Sequence, residues 1–141
     1  ETLNKIISSK MKDTGIQLFN SDLVFKAEKI HWYWEQSLKQ IAKDFEREDL
    51  ALLKLEIVEN QKEYVINLLK PLVLELLDNR LEYFYARLYR IDIPETKVKE
   101  LLPLDKTENA LDDLTVLIIE REFLKVLIRD YLKNQKLRSD V

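Results

Sequence analysis

The reading of the fold turns on Asn60-Gln-Lys-Glu-Tyr-Val-Ile-Asn-Leu-Leu-Lys-Pro-Leu-Val-Leu-Glu-Leu-Leu-Asp-Asn-Arg-Leu-Glu-Tyr-Phe-Tyr-Ala-Arg-Leu-Tyr-Arg90. From Leu77 the apolar residues fall at Leu81, Phe84, Leu88 and Ile91, in steps of four, three, four and three. That spacing is one face of an α-helix. A second apolar set, Leu74, Leu76, Tyr85 and Tyr89, lies off that face. The stretch is therefore predicted to be a long central helix over about 62–91, covered on two sides. Pro71 interrupts it. A proline in a helix interior removes one hydrogen bond and clashes with the preceding turn. Either the helix kinks there or a new one starts at Pro71. The apolar pattern runs on through Pro71, which favours the kink.

Downstream, Asp92-Ile-Pro94 ends the element, because a residue before proline avoids the helical region. Residues 96–102 form one loose turn closed by Pro103. Asp105 or Thr107 caps a last helix over about 108–137. That helix carries two stripes. Ala110, Leu114, Leu117, Leu124, Ile128 and Tyr131 make one; Val116, Ile119, Phe123 and Val126 make the other.

Upstream, Leu3, Ile6, Ile7 and Met11 predict a short helix over about 2–12, stopped by Asp13-Thr-Gly15. After the connector Ile16–Asn20, a helix over about 22–46 carries Leu23, Ala27, Ile30, Trp34, Leu38, Ile41 and Phe45. Glu46-Arg-Glu-Asp49 breaks the chain before a third helix with Leu50, Leu53, Ile57 and Tyr64, capped by Asp49. The expected fold is a single all-α domain, an antiparallel bundle of about five helices over 1–141. Leu81, Phe84, Leu88 and Trp34 are its expected core.

Composition agrees. The chain has one Gly, three Pro and no Cys, with 46% hydrophobic and 35% charged residues. Few breakers and many Leu, Glu and Lys suit helices. Without Cys there is neither a disulfide framework nor a thiolate zinc site. Net charge is −3, so non-specific duplex binding is not expected and any nucleic-acid contact is weak or indirect. No apolar run is long enough for a membrane span, and no signal segment stands at the N-terminus. The reading is an intracellular protein, cytoplasmic or nuclear according to source.

Chemistry-bearing patterns are sparse. Glu28-Lys-Ile-His31 has the Glu-x-x-His spacing of di-metal carboxylate bundles, but His31 is the single histidine and such sites need two motifs. No Gly-rich phosphate loop exists. Ser8, Ser9, Ser21, Ser37 and Ser139 offer no triad. Asp112-Asp113 and Glu120/Glu122 are read as solvated helix faces. The expectation is a non-catalytic protein with no cofactor or metal. Binding features are more prominent. Trp32 in His31-Trp-Tyr-Trp34 points away from the core stripe, and surplus aromatics suit interfaces. Arg121, Lys125, Arg129 and Lys133 recur every four residues, flanked by Glu122 and Asp130, as a solvated row or a contact for DNA or an acidic partner. The apolar area of the last two long helices exceeds what one small domain is expected to cover. The chain is therefore predicted to assemble through Tyr85, Tyr89, Ile119 and Phe123, with Trp32 as a separate contact.

The order of pieces carries a resemblance. A short helix and loop (Leu3–Phe19) lead to an amphipathic helix (Ser21–Phe45), then Glu48-Asp-Leu. An aromatic, arginine-bearing helix follows, Arg80-Leu-Glu-Tyr-Phe-Tyr-Ala-Arg-Leu-Tyr-Arg-Ile91. After a Pro-containing loop comes Glu120-Arg-Glu-Phe-Leu-Lys-Val-Leu-Ile-Arg-Asp-Tyr-Leu-Lys133. This resembles the helical domain of GINS subunits, most like the archaeal class in which that domain comes first. The class usually adds a β-rich domain after it, and residues 1–141 are expected to be the helical domain alone, either separated from that domain or belonging to a subunit without one. The resemblance implies a non-catalytic subunit in a four-membered assembly with other GINS subunits. That assembly bridges the MCM helicase and a Cdc45/RecJ-like partner in DNA replication. The other reading open at this point is a helical adaptor unrelated to replication.

Overall fold

The structure is a computed structural model that describes residues 21–102 and 108–139. The expected helix at 2–12, its Gly15 stop, the Ile16–Asn20 connector, Pro103 and the Asp105 or Thr107 cap lie outside the described residues. Among the described residues there are seven helices and no strand. The chain is an all-α bundle.

Helices α1 (Ser21–Ala27) and α2 (His31–Asp44) replace the single expected helix. The elbow between them has a physical cause at Trp34. Its indole is 1% exposed, and a buried indole N–H needs an acceptor. The Glu28 carbonyl, at the end of α1, accepts it at 2.7 Å. Tight bonds from Lys29 and Ile30 back to Lys26 and Ala27 close the turn. At its other end α2 finishes with Glu46 in the left-handed region, φ 53°, and Arg47 N–H bonded to Ala42 O at 2.7 Å. A non-glycine residue is disfavoured there. Glu46 is gripped from outside, by the Tyr83 hydroxyl at 2.8 Å and by Arg87. Those two contacts, the Tyr83 hydrogen bond first, hold its carboxyl below the usual carboxylate range.

Helix α3 is one turn, Glu48–Ala51. Residues 53–58 are non-helical, not the expected third helix. The chain buries Leu50 and Leu55, five apart, and leaves Leu52, Leu53 and Ile57 exposed. Gln61 fixes this loop: its amide donates to Glu56 O at 2.9 Å and accepts from Val58 N–H and the His31 ring. Asn60 then caps α4 (Gln61–Asn79), accepting Glu63 N–H at 3.2 Å while its own amide reaches the Glu63 carboxylate.

The expected long helix over 62–91 is two helices, and the break is not at Pro71. Helix α4 continues through Pro71, and the chain leaves helical geometry at Arg80, φ −144° and ψ 51°. Helix α5 (Leu81–Arg90) follows. The reset explains Leu81, which is 41% exposed rather than core, whereas Phe84 and Leu88 are fully buried. Because Pro71 is exposed, its ring contributes no core packing. Pro71→Ala is expected to raise stability by about 1–2 kcal/mol, less than the full interior-proline cost because the unfolded chain also gains freedom. An unchanged or lowered urea midpoint would count against this account of α4.

After α5 come α6 (Glu95–Leu101) and α7 (Glu108–Ser139). The 32 residues of α7 make it the longest helix and the hub of the bundle, packed by α2, α4 and α6. Both of its apolar stripes are used inside the chain. Leu114, Ile118 and Leu124 are buried from one stripe and its neighbours, Ile119, Phe123 and Val126 from the other. Ile119 and Phe123 are thus not outward contacts: Phe123 stacks on Trp34 at 4.6 Å between ring centres, and Ile119 is fully enclosed. Among the described residues α2, α4 and α6 pack on α7 and bury Ile119, Phe123 and Val126 of its second apolar stripe. Ion pairs Lys62–Glu120 and Lys70–Asp112 clip α4 along it.

Candidate docking groove

The turn after α5 positions the site. Ile91 and Ile93 are buried on either side of Asp92, which takes φ 64°. Aspartate tolerates that region better than most residues. Ile93 N–H returns to Leu88 O at 2.9 Å, so the turn is tight and Asp92 is forced outward. This brings the end of α5 alongside α7. Between them opens a cavity of about 370 Å³. Ile91, Leu124, Ile128 and Leu132 form its apolar floor. Arg90, Arg121, Lys125 and Arg129 stand around it, with Asp92 the acidic member.

Three members of the basic row foreseen on the last helix line this groove. Arg121, Lys125 and Arg129 converge on the groove, joined by Arg90 from another helix. Lys133 is exposed and does not line it. Two of the cations are also anchored to α2. Lys125 Nζ donates to Asp44 Oδ2 at 3.1 Å, and Arg129 Nη1 donates to Gln40 Oε1 at 2.8 Å. Gln40 in turn donates to Asp44 Oδ1 at 3.1 Å.

Behind this network lies a carboxyl that sequence reading placed in solvent. Glu122 is fully buried. As an anion it would have no donor for either buried oxygen among the described residues. Burial, the hydrogen bond to Asp44 and the Asp44 charge push the Glu122 carboxyl up to about 9, against the pull of Lys125 and Arg129. Burial pushes the Asp44 carboxyl up too. Hydrogen bonds from Glu122, Gln40 and Lys125, with the Lys125 charge, outweigh it and bring it below the ordinary value. Glu122 is therefore held neutral while Asp44 carries the negative charge. A neutral Glu122 leaves positive charge in excess at the groove. One signal for its burial was in the sequence: of the residues one turn away, Ile118, Ile119 and Val126 are apolar and only Lys125 is not.

The remaining interface candidates are placed as follows. Tyr89 is 75% exposed and directly precedes Arg90 of the rim. Tyr85 is half-buried against the core. Trp32 is exposed at the start of α2, edge-on to Tyr33 at 5.1 Å, and does not line the groove. Tyr33 donates to Asp130 at 2.7 Å, so this flank of the basic row is bound to α2. His31 lies between Gln61, at 3.1 Å, and Glu35, at 3.6 Å. No cluster of three or more metal-ligating side chains occurs among the described residues. No helix among them is long and apolar enough to cross a membrane. No family model, curated protein or solved structure matches the chain.

Proposed function

We propose that this chain is a non-catalytic, intracellular subunit of a multi-protein assembly. It docks on partners through the groove between α5 and α7. The observation that carries this reading is the groove itself, an apolar floor accessible at Ile128 and Leu132 and ringed by four cations from two helices. A floor of that kind binds by burying apolar surface, and its rim selects the sign of the partner. The specific form we propose is the GINS-like one: association with sister subunits, bridging the MCM helicase and a Cdc45/RecJ-like protein, with only weak or indirect nucleic-acid contact. The order of helices and the tyrosine- and arginine-bearing α5 support that form. Exposed Tyr89 and Trp32 are its further contact points.

The test is retention of purified MCM helicase, a RecJ-like protein and GINS-type subunits on the tagged chain, at micromolar concentrations and physiological salt. Co-retention of sister subunits with either partner is expected. If none is retained by the folded chain, the replication-fork reading is wrong and the helical-adaptor reading takes its place.

A further inference from the structure

We infer that the α5–α7 groove takes an amphipathic helix of a partner protein whose polar face is acidic. This rests on the docking reading above and names the chemistry of its partner. The floor and rim on α7 form two parallel rows. Leu124, Ile128 and Leu132 repeat every four residues, and Arg121, Lys125 and Arg129 repeat every four beside them. Rows at that interval are the ridges against which another helix packs. From Arg121 to Leu132 the rows run about 16 Å, three helical turns. Leu124 is buried beneath the row, so a partner helix with apolar residues at i and i+3 or i+4 seats on half-buried Ile128 and exposed Leu132. Its flanking carboxylates face Arg90 and the cationic row.

Charge decides between occupants. The chain's own amino-terminal stretch has amphipathic spacing at Leu3, Ile6, Ile7 and Met11, but it carries Lys5, Lys10 and Lys12. It would set cations against cations. A small anionic amphiphile would reach one end of the basic row and not span its length. An acidic helix matches both rows together. The neutral state of Glu122 supports this, because Lys125 then faces one carboxylate, Asp44, and not two.

The experiment uses the full chain and a fluorescein-labelled helical peptide of about four turns, long enough to span the rows. It has Leu at helical spacing, Glu beside it and no Lys or Arg. Controls are the same peptide with Gln for Glu, a scrambled order of the same composition, and laurate as competitor. Saturable anisotropy at micromolar peptide is expected, weakening with salt. Binding of the Gln and scrambled peptides should be about tenfold weaker or worse. Arg90→Glu and Leu132→Asp should weaken binding by about tenfold. Both sites are exposed, so unchanged melting curves will show the fold intact. Lys54→Glu, exposed and outside the groove, should change nothing. Equal binding of the scrambled peptide, indifference to both groove variants, or laurate binding in place of the peptide would overturn the inference. If the peptide fails while MCM, RecJ-like or GINS-type proteins are retained, only the partner chemistry is wrong. If both fail, the docking reading goes too.

Discussion

Trp34→Ala is expected to lower the unfolding free energy by about 3–5 kcal/mol. Three observations add up here. The side chain is 1% exposed, so truncation leaves a cavity in the interior rather than a dimple at the surface. Its ring stacks at 4.6 Å on Phe123 of the hub helix, so that contact is lost as well. Its N–H pins the Glu28 carbonyl at 2.7 Å, and without it the elbow between α1 and α2 keeps an unsatisfied acceptor. A domain of this size has about 5–15 kcal/mol in all, so the variant should unfold at a much lower urea concentration. Far-ultraviolet circular dichroism is the right probe, since tryptophan fluorescence changes with the substitution. Trp32→Ala is the internal comparison. That ring is 46% exposed, and its loss should cost under about 1 kcal/mol. Equal effects at the two positions would contradict the burial that separates the two tryptophans, and a larger effect at Trp32 would reverse it.

Glu122→Gln should remove the part of the chain's stability loss between about pH 4.5 and 9 that belongs to Glu122. In the folded chain the Glu122 carboxyl keeps its proton to about pH 9, whereas its ordinary value is 4.5. Between those two values the folded state holds a proton that the unfolded chain has released. The stability tied to that proton is fully present below pH 4.5 and is lost as pH rises toward 9. The steepest slope for one group is about 1.4 kcal/mol per pH unit. Asp44 acts at the other end. Its lowered value gives stability that is present above its unfolded value and lost as acid protonates it in the folded state. Glutamine keeps the shape of Glu122 and a donor toward Asp44, but has no proton to lose. The two proteins should melt together near pH 5. At pH 8 the variant should melt higher, by on the order of 10 °C. Glu28 is also raised, by burial first, against the attraction of Lys62 and with the repulsion of Glu120. It adds a slope of the same sign that both proteins share, so the difference between them isolates Glu122. Parallel pH profiles, or a less stable variant at pH 8, would refute the raised Glu122 carboxyl.

How far the fold was legible in the sequence depends on what periodicity can say. It identifies residues that share a face. Trp34, Phe84 and Leu88 were placed in the core on that ground, and they are buried. It does not say how many neighbours a helix has. The two apolar stripes of the last helix looked like one face for the core and one for another subunit. In the structure α2, α4 and α6 between them cover both, which removes Ile119 and Phe123 as contacts and moves the centre of the bundle from the 60–90 stretch to α7. The break at Arg80 is a tertiary effect: the apolar spacing runs straight across it, and only the burial of Phe84 beside exposed Leu81 reveals the reset. The cap at Asn60 was legible, since Asn-x-x-Glu is an N-terminal signal, but it lay inside a run that read as continuous helix. The groove was half legible. The basic row stands in the sequence, whereas Arg90 and Asp92 join it only because the turn at Ile91–Ile93 brings the end of α5 to the cavity beside α7.

The central claim is that the chain works by docking through this groove, and the most direct measurement compares one protein with its groove variant. Wild-type chain and the double variant Arg90→Glu, Leu132→Asp are titrated against the same purified MCM, RecJ-like and GINS-type partners, with melting curves taken on both. The account expects matching melting temperatures, binding by the wild type, and binding weaker by about tenfold or more in the variant. Equal affinity of the two for a partner that does bind would show that the groove is not the docking surface.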